Sequence, residues 1–154
     1  MSVARNMFMG KELQRSVGPI KLLDHKNMKK ESEKILRGLG LSISSMDQET
    51  RFCSGGERQG IAIARAMHFK AKLVIMDEPT RAMGVAAVQR ILELVKELKR
   101  RGISCIFITH NLYHAYAVAD RFVVLVRGEK VGDSLKKNTS IKKLRASNQK
   151  IAPD

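Results

Sequence analysis

The sequence predicts an α/β fold in which a parallel sheet is flanked by helices, and three observations support this. Short apolar runs at residues 72–76, 103–109 and 122–126 fit strands buried on both faces. The segments between them have helical spacing. Glycine and capping residues punctuate the joins.

The elements follow in chain order. Residues 1–23 show no clear period, and Gly18-Pro19 marks a break. From Asp24, a capping residue, a helix is predicted with Met28, Ile35, Leu36 and Leu39 on one face. Gly38 and Gly40 are its stop signals. Residues 42–53 are polar and read as a short helix or turn. Ser54-Gly55-Gly56 then opens a helix over 57–69, whose Ala62 and Ala66 allow close packing. The run KLVIM (72–76) reads as a buried strand ending in Asp77-Glu78-Pro79. A helix over 85–101 carries Val85, Val88, Leu92 and Val95 as its stripe, with Ile91, Leu94 and Leu98 beside it, and Arg100, Arg101 and Gly102 suit its end. A strand at 103–109, a short helix at 112–118 and a strand at 122–126 follow. Gly128 to Lys130 reads as a turn into a last strand near Val131.

Composition narrows the function classes. The chain has 154 residues and 44% hydrophobic content, which is normal for a globular protein. Aromatics make up 5% and there is no Trp, which disfavours base-stacking modules. No apolar run approaches the roughly 20 residues that span a bilayer, and the first residues lack the apolar stretch of a secretory signal. Two cysteines, Cys53 and Cys105, make no disulfide framework and point to a reducing compartment. The 29 basic and 15 acidic side chains leave a net charge of +14. The one basic cluster is residues 136–154, with Lys136, Lys137, Lys142, Lys143, Arg145 and Lys150. Elsewhere the excess is diffuse, so no specific nucleic-acid partner is expected. The tail is suited to acidic lipid or a partner protein.

Three places carry chemistry. In open parallel sheets, ligands bind at the carboxyl ends of strands. One strand ends in Asp77-Glu78, an acid pair at the sheet rim. Asp77 suits Mg²⁺, which prefers hard oxygen ligands. Glu78 suits the polarisation or deprotonation of a water attacking a γ-phosphate. The plainer reading is an acid pair ahead of Pro79 and a helix. A second strand ends in Thr109-His110, where the His can bind a phosphate oxygen or orient the water; alone, such a His is more often structural. The third is Ser54-Gly55-Gly56-Glu57-Arg58-Gln59, a hydroxyl and glycine N–H groups at a positive helix end. Simple capping is the alternative there.

In order and spacing, SGGERQ, AIARAM, LVIMDEPT and FITHN resemble the ATP-binding subunits of ABC transporters. SGGERQ is similar to the signature motif, LVIMDEPT to Walker B, and His110 to the switch histidine. SVARNMFMGKE and HNLYHAYAVADRFVVLVRGEKVGD narrow the resemblance to the monosaccharide importers, over residues 2 to 145. The resemblance implies a P-loop NTPase-like core with a helical subdomain. It divides the chain into a permease-facing helical part (1–53), the second half of the ATPase core (54–135) and a basic tail (136–154). It assigns ATP contacts to Ser54, Gly55, Gly56, Glu57 and Gln59, Mg²⁺ to Asp77, the general base to Glu78, and phosphate and water stabilisation to His110. Residues 81–84 match the D-loop. The implied partners are a membrane-spanning permease and a second ATP-binding subunit. The implied location is peripheral, on the cytoplasmic face of the cell membrane.

Departures from the pattern are Cys53 where Leu is common, Gly84 where the wider family has Asp, and the bulky Arg81. The larger one is the phosphate-cradling G-x-x-x-x-G-K-[ST] loop, which has no match. The single Gly-Lys pair, Gly10-Lys11, is followed by Glu12 and preceded at the fifth position by Arg5. The Q-loop glutamine of the pattern, which should precede Ser2, has no match either. The sequence therefore reads as a C-terminal portion of such a subunit, beginning after the Q-loop and inactive alone. The alternative is a non-catalytic interaction module that offers its signature motif to an intact subunit or occupies a permease.

Overall fold

The computed structural model describes residues 1–149, so Lys150 of the basic tail lies outside the described residues. The chain forms two compact units. One comprises Met1–Val74 with Thr80–Cys105, the other Ile75–Pro79 with the chain from Ile106 onward.

The first unit is mainly helical. It begins with a one-turn helix, α1 (Val3–Met7), tied down by Val3 and Ala4 N–H groups that donate to the carbonyls of Gln48 and Met46. A hairpin follows, β1 (Gln14–Val17) and β2 (Ile20–Leu23), where the sequence shows no period. Its two-residue loop has Gly18 at φ +60° and then Pro19, the pattern of a II′ turn. Helix α2 (His25–Gly38) starts where the sequence predicts, with the Asp24 carboxylate accepting the Asn27 N–H at 3.1 Å. Helix α3 (Gly55–His68) and helix α4 (Val85–Arg100) pack together, and Val88, Ile91, Leu94, Val95 and Leu98 form the buried stripe of α4. Val3, Met7, Phe8, Met28, Leu36, Ile61 and Ile63 complete the core of this unit.

Three helices close in the same way. The N–H two residues past the helix cap reaches back five residues, in Leu41 to Leu36, Ala71 to Ala66 and Ile103 to Leu98. The residue between cap and closing donor takes a left-handed φ. It is Gly40 after α2 and Gly102 after α4, but Lys70 (φ 52°) after α3. The glycine stops were readable in the sequence; the lysine one carried no signal.

Strands β3 (Leu73–Asp77) and β4 (Ser104–Ile108) pair with each other. Ser104 N–H donates to the Lys72 carbonyl at one end, and Glu78 N–H to the Ile108 carbonyl at the other, so the strands run parallel. The second unit also holds helix α5 (Leu112–Val118), strands β5 (Arg121–Val126) and β6 (Glu129–Leu135), and helix α6 (Ile141–Gln149). Its core joins Phe122 and Leu144, with Tyr116 stacked on Phe122 at 5.6 Å.

Two expectations need correction. The strand at 72–76 is not buried: Met76 is, but Leu73 and Ile75 are exposed, as are Ile106 and Ile108 of β4. A two-stranded sheet leaves both outer edges unpaired, and no described residue covers these side chains. The strand expected at 122–126 also takes a different partner, although the turn at Gly128 into a last strand is where the sequence places it. Among the described residues β5 pairs antiparallel with β6 rather than joining the parallel sheet. The cause is the turn, in which Arg127 (φ 52°) and Gly128 (φ 85°) both adopt positive φ. That is the I′ geometry that folds adjacent strands back on each other.

Candidate functional site

The carboxyl ends of β3 and β4 bring two of the predicted residues together. One Glu78 carboxylate oxygen lies 2.7 Å from His110 Nδ1 and accepts the His110 backbone N–H at 3.0 Å. The other accepts the Thr109 hydroxyl at 3.2 Å. Parallel pairing makes this possible, because it carries both strand ends to one rim. Thr109 is held in turn, accepting the Asn111 N–H, while the Asn111 side chain caps α5 through the Tyr113 and His114 N–H groups.

This geometry fixes protonation. An ionised carboxylate only accepts hydrogen bonds, so His110 Nδ1 carries the proton and donates it. His110 Nε2 is therefore the atom available to a ligand, and it can donate there only from the doubly protonated ring. The His110 ring bond, followed by its backbone N–H and the Thr109 hydroxyl, holds the Glu78 carboxyl below the usual carboxylate range, against a smaller opposing effect of burial. Glu78 thus stays ionised at neutral pH. Three of its roughly four acceptor sites are filled, which leaves room for one water.

The Glu78 backbone is strained. Its φ of 43° is left-handed, without the freedom of glycine and directly before Pro79. Such a conformation costs about 1–3 kcal/mol and persists where its surroundings over-determine it. Here the N–H bond to Ile108 and three side-chain bonds do so.

Asp77 is exposed, and its carboxylate has no hydrogen-bond or ion-pair partner among the described residues. A free carboxylate beside a fixed one suits Mg²⁺, which needs only one or two protein carboxylates and completes its shell with water and phosphate. No group of three or more metal-ligating side chains occurs among the described residues, so an all-protein cation cage is not on offer there.

The other predicted cluster opens α3, in the first unit. Ser54 and Glu57 form a reciprocal capping box. The Ser54 hydroxyl oxygen accepts the Glu57 N–H at 3.2 Å, and the Glu57 carboxylate accepts the Ser54 N–H at 2.6 Å. The Ser54 hydroxyl hydrogen and the Gly55 and Gly56 N–H groups remain available to an anion. The two glycines differ. A Cβ on Gly56 would meet the Ala87 Cβ at 3.1 Å, so Gly56 lets α3 approach α4; one on Gly55 would meet nothing closer than the Met83 side chain at 3.9 Å. Capping and packing therefore account for Ser54, Glu57 and Gly56, but not for Gly55. Gln59 is half-buried within α3. Gly84 caps α4 without a side-chain bond, preceded by the left-handed Ala82 (φ 56°).

Sequence reasoning passed over Thr109 and Asn111. The usable signal was an Asn immediately before an apolar helical stretch, which marks an N-cap. It also missed Gly60, where a Cβ would come within 2.8 Å of Leu41. Nothing in the local sequence announces that contact.

Comparisons with known proteins identify the family and the fold. The ABC transporter family profile matches residues 1–81, more than half of the chain. The xylose/arabinose import ATP-binding protein XylG of Sulfolobus acidocaldarius is 37% identical over 139 residues, 90% of this chain and 54% of the relative. The fructose import ATP-binding protein FrcA of Rhizobium meliloti is 44% identical over 125 residues, 79% of this chain and 48% of the relative. The chain thus spans about half the length of these relatives. Among solved structures, a dimeric ATP-binding cassette in a post-hydrolysis state bound to ADP and phosphate superposes with a TM-score of 0.68 at 22% identity, covering 88% of this chain and 57% of that one, which shows the fold. A nucleotide-free ATP-binding cassette gives 0.67 at 25% identity, with 88% and 55% covered. By its motifs, its α/β architecture and its relatives, the chain belongs to the ABC transporter family.

Proposed function

We propose that the chain serves as part of the ATP-binding subunit of a sugar importer, in which ATP binding and hydrolysis are coupled to monosaccharide uptake. The observation that carries this reading is the Glu78–His110 pair at the ends of two parallel strands, beside the free carboxylate of Asp77. The sugar-import names of the relatives supply the substrate class. In this reading residues 1–53 face a permease, 54–135 belong to the ATPase core, and 136–154 form a basic tail. The subunit works peripherally at the cytoplasmic face of the membrane.

Glu78 fixes a water through its remaining acceptor site and takes the proton that the water loses as it attacks the γ-phosphate. The proton goes to the carboxylate, and the new P–O bond forms as the bond to the ADP leaving group breaks. His110 holds Glu78 in place through Nδ1 and leaves Nε2 to meet a phosphoryl oxygen. Thr109 fixes the second carboxylate oxygen. Asp77 is the residue that would hold Mg²⁺, whose charge neutralises the phosphoryl oxygens when it is bound. Ser54, Gly55 and Gly56 present a hydroxyl and two N–H groups to the γ-phosphate held by an opposing subunit, with Glu57 and Gln59 beside them.

The 154 residues contain no phosphate loop, so the chain by itself is expected to show little or no Mg-ATP turnover. Robust turnover by the purified chain, abolished by Glu78→Gln, would overturn that expectation. A second reading is supported by the open hydrogen-bonding groups of Ser54 and Gly55: a module that lends its signature motif to an intact subunit without catalysing anything. Pull-down by an intact sugar-importer ATP-binding subunit in the presence of ATP tests the shared contact, and Ser54→Arg should abolish it. Association that ignores both ATP and Ser54→Arg would exclude this use of the motif in either reading.

A further inference from the structure

The β1–β2 hairpin has no role in the nucleotide chemistry, and its packing is unusual. All eight strand residues are exposed, including Val17 at 50%, Ile20 at 61% and Leu22 at 44%. An isolated two-stranded hairpin is marginal in water and gains stability by packing against something. Here it is closed at its base by the Asp24 N–H bond to the Leu13 carbonyl and at its tip by Gly18-Pro19.

Its side chains are graded from tip to base. The tip is the uncharged run Val17-Gly18-Pro19-Ile20, with Val17 opposite Ile20. One rung behind, Lys21 faces Ser16, and one rung further Arg15 faces Leu22. At about 3.3 Å per residue, the two cations therefore sit about 3 and 7 Å behind an apolar point. Because cross-strand partners share a face, Arg15, Val17, Ile20 and Leu22 lie on one side. The acids nearby are already engaged, Glu12 with the Gly10 N–H and Asp24 with Asn27. Arg15, Lys21, Lys26 and Lys30 have no ion-pair partner among the described residues.

We infer that this hairpin docks on an anionic lipid surface, with Val17 and Ile20 entering the boundary between headgroups and acyl chains while Arg15 and Lys21 meet lipid phosphates. An apolar point backed by cations at headgroup depth matches the layering of a bilayer interface, where apolar faces sink about 5–10 Å and each nearby cation adds attraction to anionic lipid. A protein groove would require no such gradient. The inference does not depend on the transporter reading, since it needs neither nucleotide nor permease.

The test is flotation of the full 154-residue chain with vesicles of phosphatidylcholine alone or mixed with phosphatidylglycerol. Binding is expected to the mixed vesicles, weakening with added salt. Val17→Ser with Ile20→Ser, and separately Arg15→Glu with Lys21→Glu, should each weaken it about tenfold or more. Lys142→Glu with Lys143→Glu in the basic tail should change it about twofold or less. Because the chain has no Trp, Ile20→Trp places a single reporter at the tip, and its emission should shift to the blue on the mixed vesicles. The shift reads insertion directly, whether or not a double variant folds less well. Absence of flotation, hairpin variants that bind like the parent, loss of binding through the tail variant alone, or a tip reporter that responds to an acidic peptide but not to vesicles would each overturn the inference.

Discussion

Glu78 and His110, 32 residues apart in the chain, meet at 2.7 Å, and the glutamate reaches that contact from a left-handed backbone. The pairing makes the carboxylate a poorer base in the resting protein than a free glutamate, yet keeps it ionised and aimed. Release of the His110 bond would raise the affinity of the carboxylate for a proton.

His110→Ala should raise the Glu78 carboxyl pKa toward the ordinary range, and Thr109→Ala should raise it less, as read by carboxyl carbon NMR against pH. The sign for stability follows. A folded-state pKa lowered below the unfolded value adds stability above the unfolded value, and this is lost as pH falls through the lowered one. The parent should therefore lose more stability on acidification than His110→Ala. An unchanged Glu78 titration in His110→Ala would contradict the geometry.

The β5–β6 hairpin carries a sharper acid dependence. Arg121 grips both Asp133 oxygens at 2.8 Å, with Lys130 at 3.4 Å. The Arg121 hydrogen bonds first, and then its charge and that of Lys130, lower the Asp133 carboxyl to about 2. The contribution is complete above the usual aspartate value and disappears as pH falls from there through about 2. Asp133→Asn should flatten that part of the stability profile in urea titrations between those limits, while leaving the neutral-pH profile parallel to that of the parent.

Ser32 is fully buried in α2, and its hydroxyl has no hydrogen-bond partner. An unpaired buried polar group costs about 1–3 kcal/mol, and alanine is also the better helix former. Ser32→Ala should therefore raise unfolding stability by about 1 kcal/mol, visible as a higher urea midpoint with an unchanged slope. A loss of stability would mean that the hydroxyl has a partner.

Lys70 occupies the left-handed position that Gly40 and Gly102 hold at the other two helix ends. Removing the Cβ there relieves about 1–2 kcal/mol, offset in part by the greater freedom of glycine in the unfolded chain. Lys70→Gly should be net stabilising by about 0.5–1 kcal/mol. Thermal unfolding measures it, and a lower midpoint would refute the strain.

Much of this architecture was legible in the sequence because it depends on local rules. The 85–101 period, the Asp24 and Ser54 caps and the glycine stops each act within one or two turns, and the observed helices begin and end within two residues of expectation. The site was legible in part. Acids and a histidine at strand ends mark a rim, but the Thr109 bond and the left-handed Glu78 depend on how two strands register, which residue spacing does not encode. The burial of β3 was misread for the same reason. The run KLVIM specifies a strand that suits cover on both faces, but whether cover is present depends on partners far along the chain. Gly60 and Lys70 escaped notice because one answers to Leu41 across a helix interface and the other violates the glycine preference of its position.

The uncovered strands also govern how the protein behaves in a test tube. Leu73, Ile75, Ile106, Ile108, Val123 and Leu125 present apolar surface along ladders with open edges, the kind of surface that templates strand-to-strand association between copies. Against this works a net charge of +14, whose mutual repulsion acts over about 10 Å at 0.1 M salt and shrinks to about 3 Å at 1 M. Dilute, low-salt solutions are therefore expected to keep copies apart, and added salt to promote their association.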